Sequence, residues 1–116
     1  MVHLMVNHRT ERLNRVFAAL VDPTRRDILG RLQKEPLSVS QLAEPLTIKL
    51  PAVMKHLDVL SAAGLIKRRK SGRVVTVTLA AAPMAEAMAW LQRYEKYWSL
   101  SLDRLTQFLE NKKTPP

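Results

Sequence analysis

The sequence predicts a mainly helical (α+β) fold of five helices carrying a two-stranded β-hairpin. Three observations predict it. Apolar residues recur at spacings of three and four over most of the chain, as in Leu13, Val16, Phe17 and Leu20, which is the period of a one-sided helix. Two such stretches lie close together between Ser38 and Gly64, with a short break around Thr47. A run rich in β-branched residues, Arg73-Val74-Val75-Thr76-Val77-Thr78-Leu79, then follows a Ser71-Gly72 turn signal. At 116 residues and 13.2 kDa the chain reads as one domain, residues 1–116, with its ends at 1–8 and 113–116 expected to be disordered.

The first helix is expected from about Thr10, a candidate cap, and to stop at Val21-Asp22-Pro23. A residue before proline is pushed out of the α region. Asp22 then caps a second helix with Pro23 in its first turn, where the missing N–H costs nothing. Ile28, Leu29 and Leu32 face inward in that helix, and Arg25, Arg26, Arg31 and Lys34 lie on its wet side. Arg25 and Arg26 are read as solvated or internally paired rather than as phosphate contacts. Glu35-Pro36-Leu37 closes the helix.

Ser38 or Ser40 can cap a third helix, whose buried stripe is Val39, Leu42, Ala43 and Leu46. A fourth helix begins near Leu50 with Pro51 in its first turn and ends at Gly64, which supplies a left-handed stop. Val53, Leu57 and Leu60 form its inner face. Lys49, Leu50, Met54, Lys55 and Asp58 are left on the outer one. Two lysines on a helix fit a solvated face as well as a reading face, and the segment that follows decides between them. Lys67, Arg68, Arg69, Lys70 and Arg73 put five cations on a short ribbon without an acid among them. Such a ribbon suits a phosphate backbone. Helix, turn, helix, glycine and basic hairpin make a winged helix-turn-helix, with double-stranded DNA as the expected partner. The expected reading-helix contacts are Lys49, Leu50, Pro51, Met54, Lys55 and His56. Ser38, Ser40 and Gln41 are candidate backbone contacts at the start of the third helix. His56 sits at the edge of the buried face, so a hydrogen-bonded edge histidine is its default reading and a phosphate contact the second.

The last helix is expected from about Met84 to Lys112. Met84, Ala87, Met88, Leu91, Tyr94, Trp98, Leu102, Leu105 and Leu109 step along it by threes and fours, and Trp90 and Tyr97 lie beside that stripe. A helix apolar over more than one face needs cover that a domain this small does not supply. A homodimer through the first and last helices is therefore expected, with Leu13, Phe17, Trp90, Leu91, Tyr94, Tyr97, Trp98, Leu105 and Phe108 in the interface.

Net charge is +9 with a pI near 10.5, which favours nucleic acid over the less common anionic membrane surface. No apolar run reaches membrane-spanning length, and a cytoplasmic location is expected. Zero cysteines exclude disulfides and thiolate metal sites. The three histidines, His3, His8 and His56, belong to no hydrolytic or nucleotide-binding motif, and three glycines do not build a phosphate cradle. No enzymatic activity, cofactor or metal is expected.

Four ordered blocks resemble the signatures of ArsR/SmtB-type transcriptional regulators. They are Asp22-Pro23-Thr24-Arg25-Arg26-Asp27-Ile28-Leu29, Leu42-Ala43-Glu44-Pro45-Leu46, the run from Leu50 to Leu60, and Ala63-Gly64-Leu65-Ile66. The resemblance covers roughly Val16 to Leu109 and implies a small dimeric winged-helix repressor on a palindromic operator. The cysteine pair of the family's metal sensors is missing from Ser40-Gln41-Leu42-Ala43-Glu44, and Asp103 and Glu110 have no histidine companions on the last helix. The likeness is thus to the metal-independent subgroup. If a small-molecule effector exists, it is expected around Trp90, Tyr94, Tyr97 and Trp98. Met54 departs from the small polar residue usual at its place, and a thioether contacts a thymine methyl rather than hydrogen-bonding a base edge. Two alternatives stay open. One is a metal- or small-molecule-responsive sensor of the same fold with ligands between subunits, such as His3 or His8 with a partner's carboxylate. The other is a winged-helix protein-interaction module, which predicts an uncharged or acidic wing.

Overall fold

The computed structural model describes residues 8–113. The order is α1 (His8–Leu20), α2 (Pro23–Lys34), β1 (Leu37–Ser38), α3 (Val39–Ala43), α4 (Leu50–Ala62), β2 (Ile66–Ser71), β3 (Val74–Leu79) and α5 (Ala82–Lys113). The expected disorder of the two ends falls on 1–7 and 114–116, which lie outside the described residues. His8 and Lys113, also expected in the tails, are the terminal residues of α1 and α5. Thr10 lies inside α1 and does not cap it.

Asp22, Ser38 and Gly64 act as expected at their helix ends, whereas α3 is shorter than expected and leaves Leu46 of its expected stripe beyond it. Asp22 stands in extended backbone and its Oδ1 accepts from the Thr24 and Arg25 N–H groups at 2.7 and 3.2 Å. Ser38, not Ser40, caps α3 through a reciprocal box. Its hydroxyl accepts from Gln41 N–H at 3.1 Å, and Gln41 Oε1 accepts from Ser38 N–H at 2.8 Å. α3 stops after five residues, just before Glu44-Pro45, where the ring has no N–H to continue the helix. α4 ends on two nested bonds, Leu65 N–H to Leu60 C=O at 3.0 Å and Gly64 N–H to Ser61 C=O at 2.9 Å. Gly64 has φ +75°, a conformation that strains a side chain, and an added Cβ would also stand in tight contact with Pro83 Cγ at 3.1 Å.

The hairpin gains a strand that sequence reading did not anticipate. The antiparallel sheet has the order β1-β3-β2, with Leu37 opposite Val77 and Ser38 opposite Thr76. The hairpin turn is Gly72-Arg73 rather than Ser71-Gly72, with Gly72 at φ +61°. Arg73, expected to open the second strand, therefore sits at the tip of the wing.

One core joins these elements. Val16 and Ala19 of α1, Ile28 and Leu32 of α2, Leu42 of α3, Val53, Leu57 and Leu60 of α4, Leu65, Val77 of β3 and Ala87 of α5 are all buried. Burying each large aliphatic side chain stabilises the fold by about 1.5–3 kcal/mol. α5 joins this core only at its start, where Ala87 is buried and Met84 packs against the cluster. With 32 residues it is about 48 Å long, and the molecule extends 75 × 43 × 22 Å.

Candidate nucleic-acid interface

The candidate reading surface is assembled from three chain segments that the core holds in register. Because Val53, Leu57 and Leu60 are buried against α1 and α2, the opposite side of α4 faces out, and Leu50, Pro51, Lys55 and Asp58 are exposed there. Lys49, the residue before the helix, is exposed as well. The starts of α3 and α4 and the tip of the wing line one cleft of about 420 Å³, with Ser38, Ser40, Leu50, Met54 and Arg73 in its wall. The structure thus brings reading-helix and wing candidates together across a shared depression.

Three expected contacts turn out to have structural work. Met54 is half-buried and packs against the core, so it forms part of the cleft floor as well as the outer face. His56 is half-buried, and its Nδ1 lies 3.2 Å from Arg25 Nη1. Arg68 donates to Asp58 Oδ1 at 2.7 Å, linking the wing to α4. The sheet register explains this last pair. Side chains alternate along β2, so Arg68 shares the face of buried Ile66 and looks toward the body, whereas Lys67 and Arg69 share the other face. Of the five wing cations, Arg68 is met by a carboxylate. All five residues are exposed.

The arginines of α2, expected on the wet side, have partners in the folded chain. Arg25 donates from Nε to Ala19 C=O at 2.7 Å and from Nη2 to Ala18 C=O at 3.1 Å. Arg26 Nη1 donates to Leu20 and Val21 C=O at 2.7 and 3.0 Å. These bonds satisfy carbonyls that the end of α1 leaves without helical partners, and they place cations at its negative pole. Arg31 does the same for α3, donating to Gln41 and Leu42 C=O at 2.7 and 3.0 Å. For Arg25 and Arg26, expected to be solvated or internally paired, the structure contains the internal pairing. No periodicity points to these carbonyl partners, because each bond joins elements whose relative placement is a tertiary fact. Partial burial pushes the Asp22 carboxyl up. The Arg25 and Thr24 N–H groups and the nearby His56 and Arg25 side chains outweigh this and bring it below the ordinary value of 3.8.

The expected interface residues of α1 and α5 have a different environment. Leu13 and Phe17 are half-buried, and Phe17 meets the Trp90 ring edge-to-face at 5.5 Å. A groove of about 640 Å³ runs between the two helices there, lined by Leu13, Phe17, Trp90 and Arg93 among others. Farther along, Tyr97, Trp98, Leu105 and Phe108 remain more than half exposed. Among the described residues, no group of three or more His, Asp or Glu side chains is placed to hold a metal ion, and no helix is long and apolar enough to cross a membrane. His3, one of the histidines weighed for an intersubunit site, lies outside the described residues.

A helix-turn-helix with an exposed second helix, flanked by a cationic β-ribbon, defines a winged-helix DNA-binding regulator. Comparison with known proteins agrees. Residues 20–69 match the model of a family described as a helix-turn-helix domain. The chain is 35% identical over 98 residues to the HTH-type transcriptional regulator Rv2034 of Mycobacterium tuberculosis, covering 84% of this chain and 89% of that protein. It is 29% identical over 82 residues to the transcriptional repressor SdpR of Bacillus subtilis, covering 71% and 91%. The crystal structure of an ArsR family transcriptional regulator superposes with a TM-score of 0.73 at 40% identity, covering 85% of this chain and 97% of that one. The chain belongs to the ArsR family of DNA-binding transcriptional regulators, a family of regulators and not of enzymes.

Proposed function

We propose that the protein is a single-domain homodimeric repressor that binds a palindromic operator. Each copy lays α4 into a major groove, with Lys49, Leu50, Pro51, Met54 and Lys55 toward the bases and His56 toward the backbone. The two helices then stand about one DNA turn, roughly 34 Å, apart. Lys67, Arg69, Lys70 and Arg73 of the wing meet phosphates or a minor groove, while Ser38, Ser40 and Gln41 approach the backbone. The observation that carries this reading is the shared cleft, with the start of the reading helix on one wall and the cationic wing tip on the other. The acidic or uncharged wing of a protein-interaction module is not what stands there.

Dimerisation is supported by the uncovered apolar length of α5. The accessible surface is 9374 Å², against about 6,400 Å² for a compact monomer of this mass. Burial of Leu13, Phe17, Trp90, Leu91, Tyr94, Tyr97, Trp98, Leu105 and Phe108 against a second copy removes part of that excess. Assignment to the metal-independent subgroup is supported by the lack of cysteine. A small-molecule effector is placed around Trp90, Tyr94, Tyr97 and Trp98, which line a depression of about 420 Å³ on α5, and the location is the cytoplasm.

The test is selection of bound duplexes from a random pool, followed by sedimentation of the protein with the recovered sequence. Palindromic sequences bound by two copies are expected. Asymmetric sequences bound by one copy, or no enrichment at all, defeat the reading.

A further inference from the structure

The Arg25 guanidinium stands where α1, α2 and α4 meet. Its Nε and Nη2 hold the Ala19 and Ala18 carbonyls of α1, and its Nη1 reaches His56 Nδ1 of α4 at 3.2 Å. Asp22 Oδ2 lies 4.0 Å from the same Nη1, so the corner is charge-balanced. A guanidinium only donates hydrogen bonds. His56 Nδ1 is therefore the acceptor, and the ring proton sits on Nε2. We propose that Arg25 is a positioning residue for DNA binding. One planar fork ties the end of α1 to the reading helix, and it fixes the His56 tautomer so that Nε2–H serves as a donor to a DNA phosphate. This rests on the reading of α4 as the DNA-contacting helix.

The chemistry favours this division of roles. Arg25 has its three donor nitrogens committed inside the protein and its side chain is only 15% exposed, so it is poorly placed to reach a phosphate itself. His56 is half-buried on the helix that carries exposed Lys55 and Asp58, with one ring nitrogen used inward and the other left for an outside partner. A neutral N–H donor strengthens a phosphate contact without releasing a counterion. Its loss therefore lowers affinity while leaving the salt dependence in place.

The experiment uses the full chain and a labelled duplex that the wild-type protein recovers from a random pool. If the wild type binds no duplex, the reading of α4 fails and this inference goes with it. Where the wild type binds, R25A is expected to weaken binding about tenfold with the slope of log affinity against log salt unchanged. H56N keeps an acceptor near Nδ1 but lacks the outer donor, and a similar loss is expected. The double variant R25A/H56N is expected to be no weaker than the worse single variant, because the two side chains act as one unit. R25K retains the charge without the fork, and only partial recovery is expected from it. Long-range proton–nitrogen NMR of the His56 ring is expected to show bare Nδ1 and protonated Nε2 in the wild type, with that preference lost in R25A.

Wild-type affinity in R25A, a slope reduced by about one unit, additive losses in the double variant, or a bare Nε2 each overturns the proposal. Should R25A lose helical circular dichroism, H56N decides, since it leaves the carbonyl bonds of Arg25 intact. Wild-type affinity in H56N then overturns the assignment.

Discussion

α4 and the far half of α5 are both amphipathic helices with apolar residues every three or four positions, yet they end in opposite environments. Leu57 and Leu60 of α4 are completely buried, enclosed by α1, α2 and the sheet, whereas Tyr97 and Trp98 of α5 are 63% and 59% exposed. Periodicity, then, specifies a face and not what covers it. α4 runs through the middle of a compact body, so its neighbours come from its own chain. α5 outruns that body after Trp90, where Phe17 of α1 makes its edge-to-face contact. The rest of its apolar length is left exposed within the subunit, which is what the proposed dimer would cover.

Removing a buried side chain from α4 tests this contrast most severely. Leu57→Ala is expected to lower unfolding free energy by about 2–5 kcal/mol, through reduced transfer energy and an unfilled cavity. Urea unfolding should show a lower midpoint at unchanged slope. The matching change on α5, Trp98→Glu with Leu105→Glu, should leave helical circular dichroism intact. It should convert the protein to a monomer by sedimentation and greatly weaken operator binding. If that double variant sediments and binds as the wild type does, the exposed face is not an interface.

Next in size is the wing. Lys67→Ala with Arg69→Ala should reduce the slope of log affinity against log salt by roughly 0.9 for each phosphate the wing no longer neutralises, and should weaken all sequences alike. A change in which bases are preferred would show that the wing reads sequence, a role proposed for α4. Asp58→Asn is a smaller perturbation. It removes the negative charge that Arg68 meets at 2.7 Å while leaving an oxygen that still accepts, and because the Asp58 side chain is 64% exposed, stability should change by about 0–1 kcal/mol. The unneutralised Arg68 cation should raise affinity for non-specific DNA slightly.

The smallest effect concerns acid. The Asp22 carboxyl titrates below its ordinary value of 3.8, so the folded state favours its ionised form. Its contribution to stability is complete above that ordinary value and is lost as pH falls through the folded one. Asp22→Asn keeps a capping oxygen and should flatten this part of the acid-unfolding profile, which thermal melts between about pH 5 and pH 2 would reveal.

Much of the scaffold beneath the candidate interface could be read in advance because local rules govern it. Pro23 and Pro51 mark first helical turns, Asp22 and Ser38 are caps, and Gly64 occupies the one backbone position where a Cβ would be strained and crowded. Each of these follows from a few adjacent residues. The third strand did not, because Leu37-Ser38 is two residues long and pairs with Val77 and Thr76 about forty positions away. The pairing side of Arg68 was within reach, since alternation puts it on the same face of the ribbon as Ile66. Only the approach of α4 supplied Asp58 as its partner.

The order of the helices, their ends, the hairpin and the cationic wing were determined by the sequence itself, because hydrogen-bond capping, backbone restriction and charge density act over a few residues. Which cations bind carbonyls or carboxylates within the chain was decided by the tertiary structure alone. A guanidinium takes whichever oxygen packing brings within reach, and for Arg25, Arg26, Arg31 and Arg68 those oxygens lie on other elements of the fold.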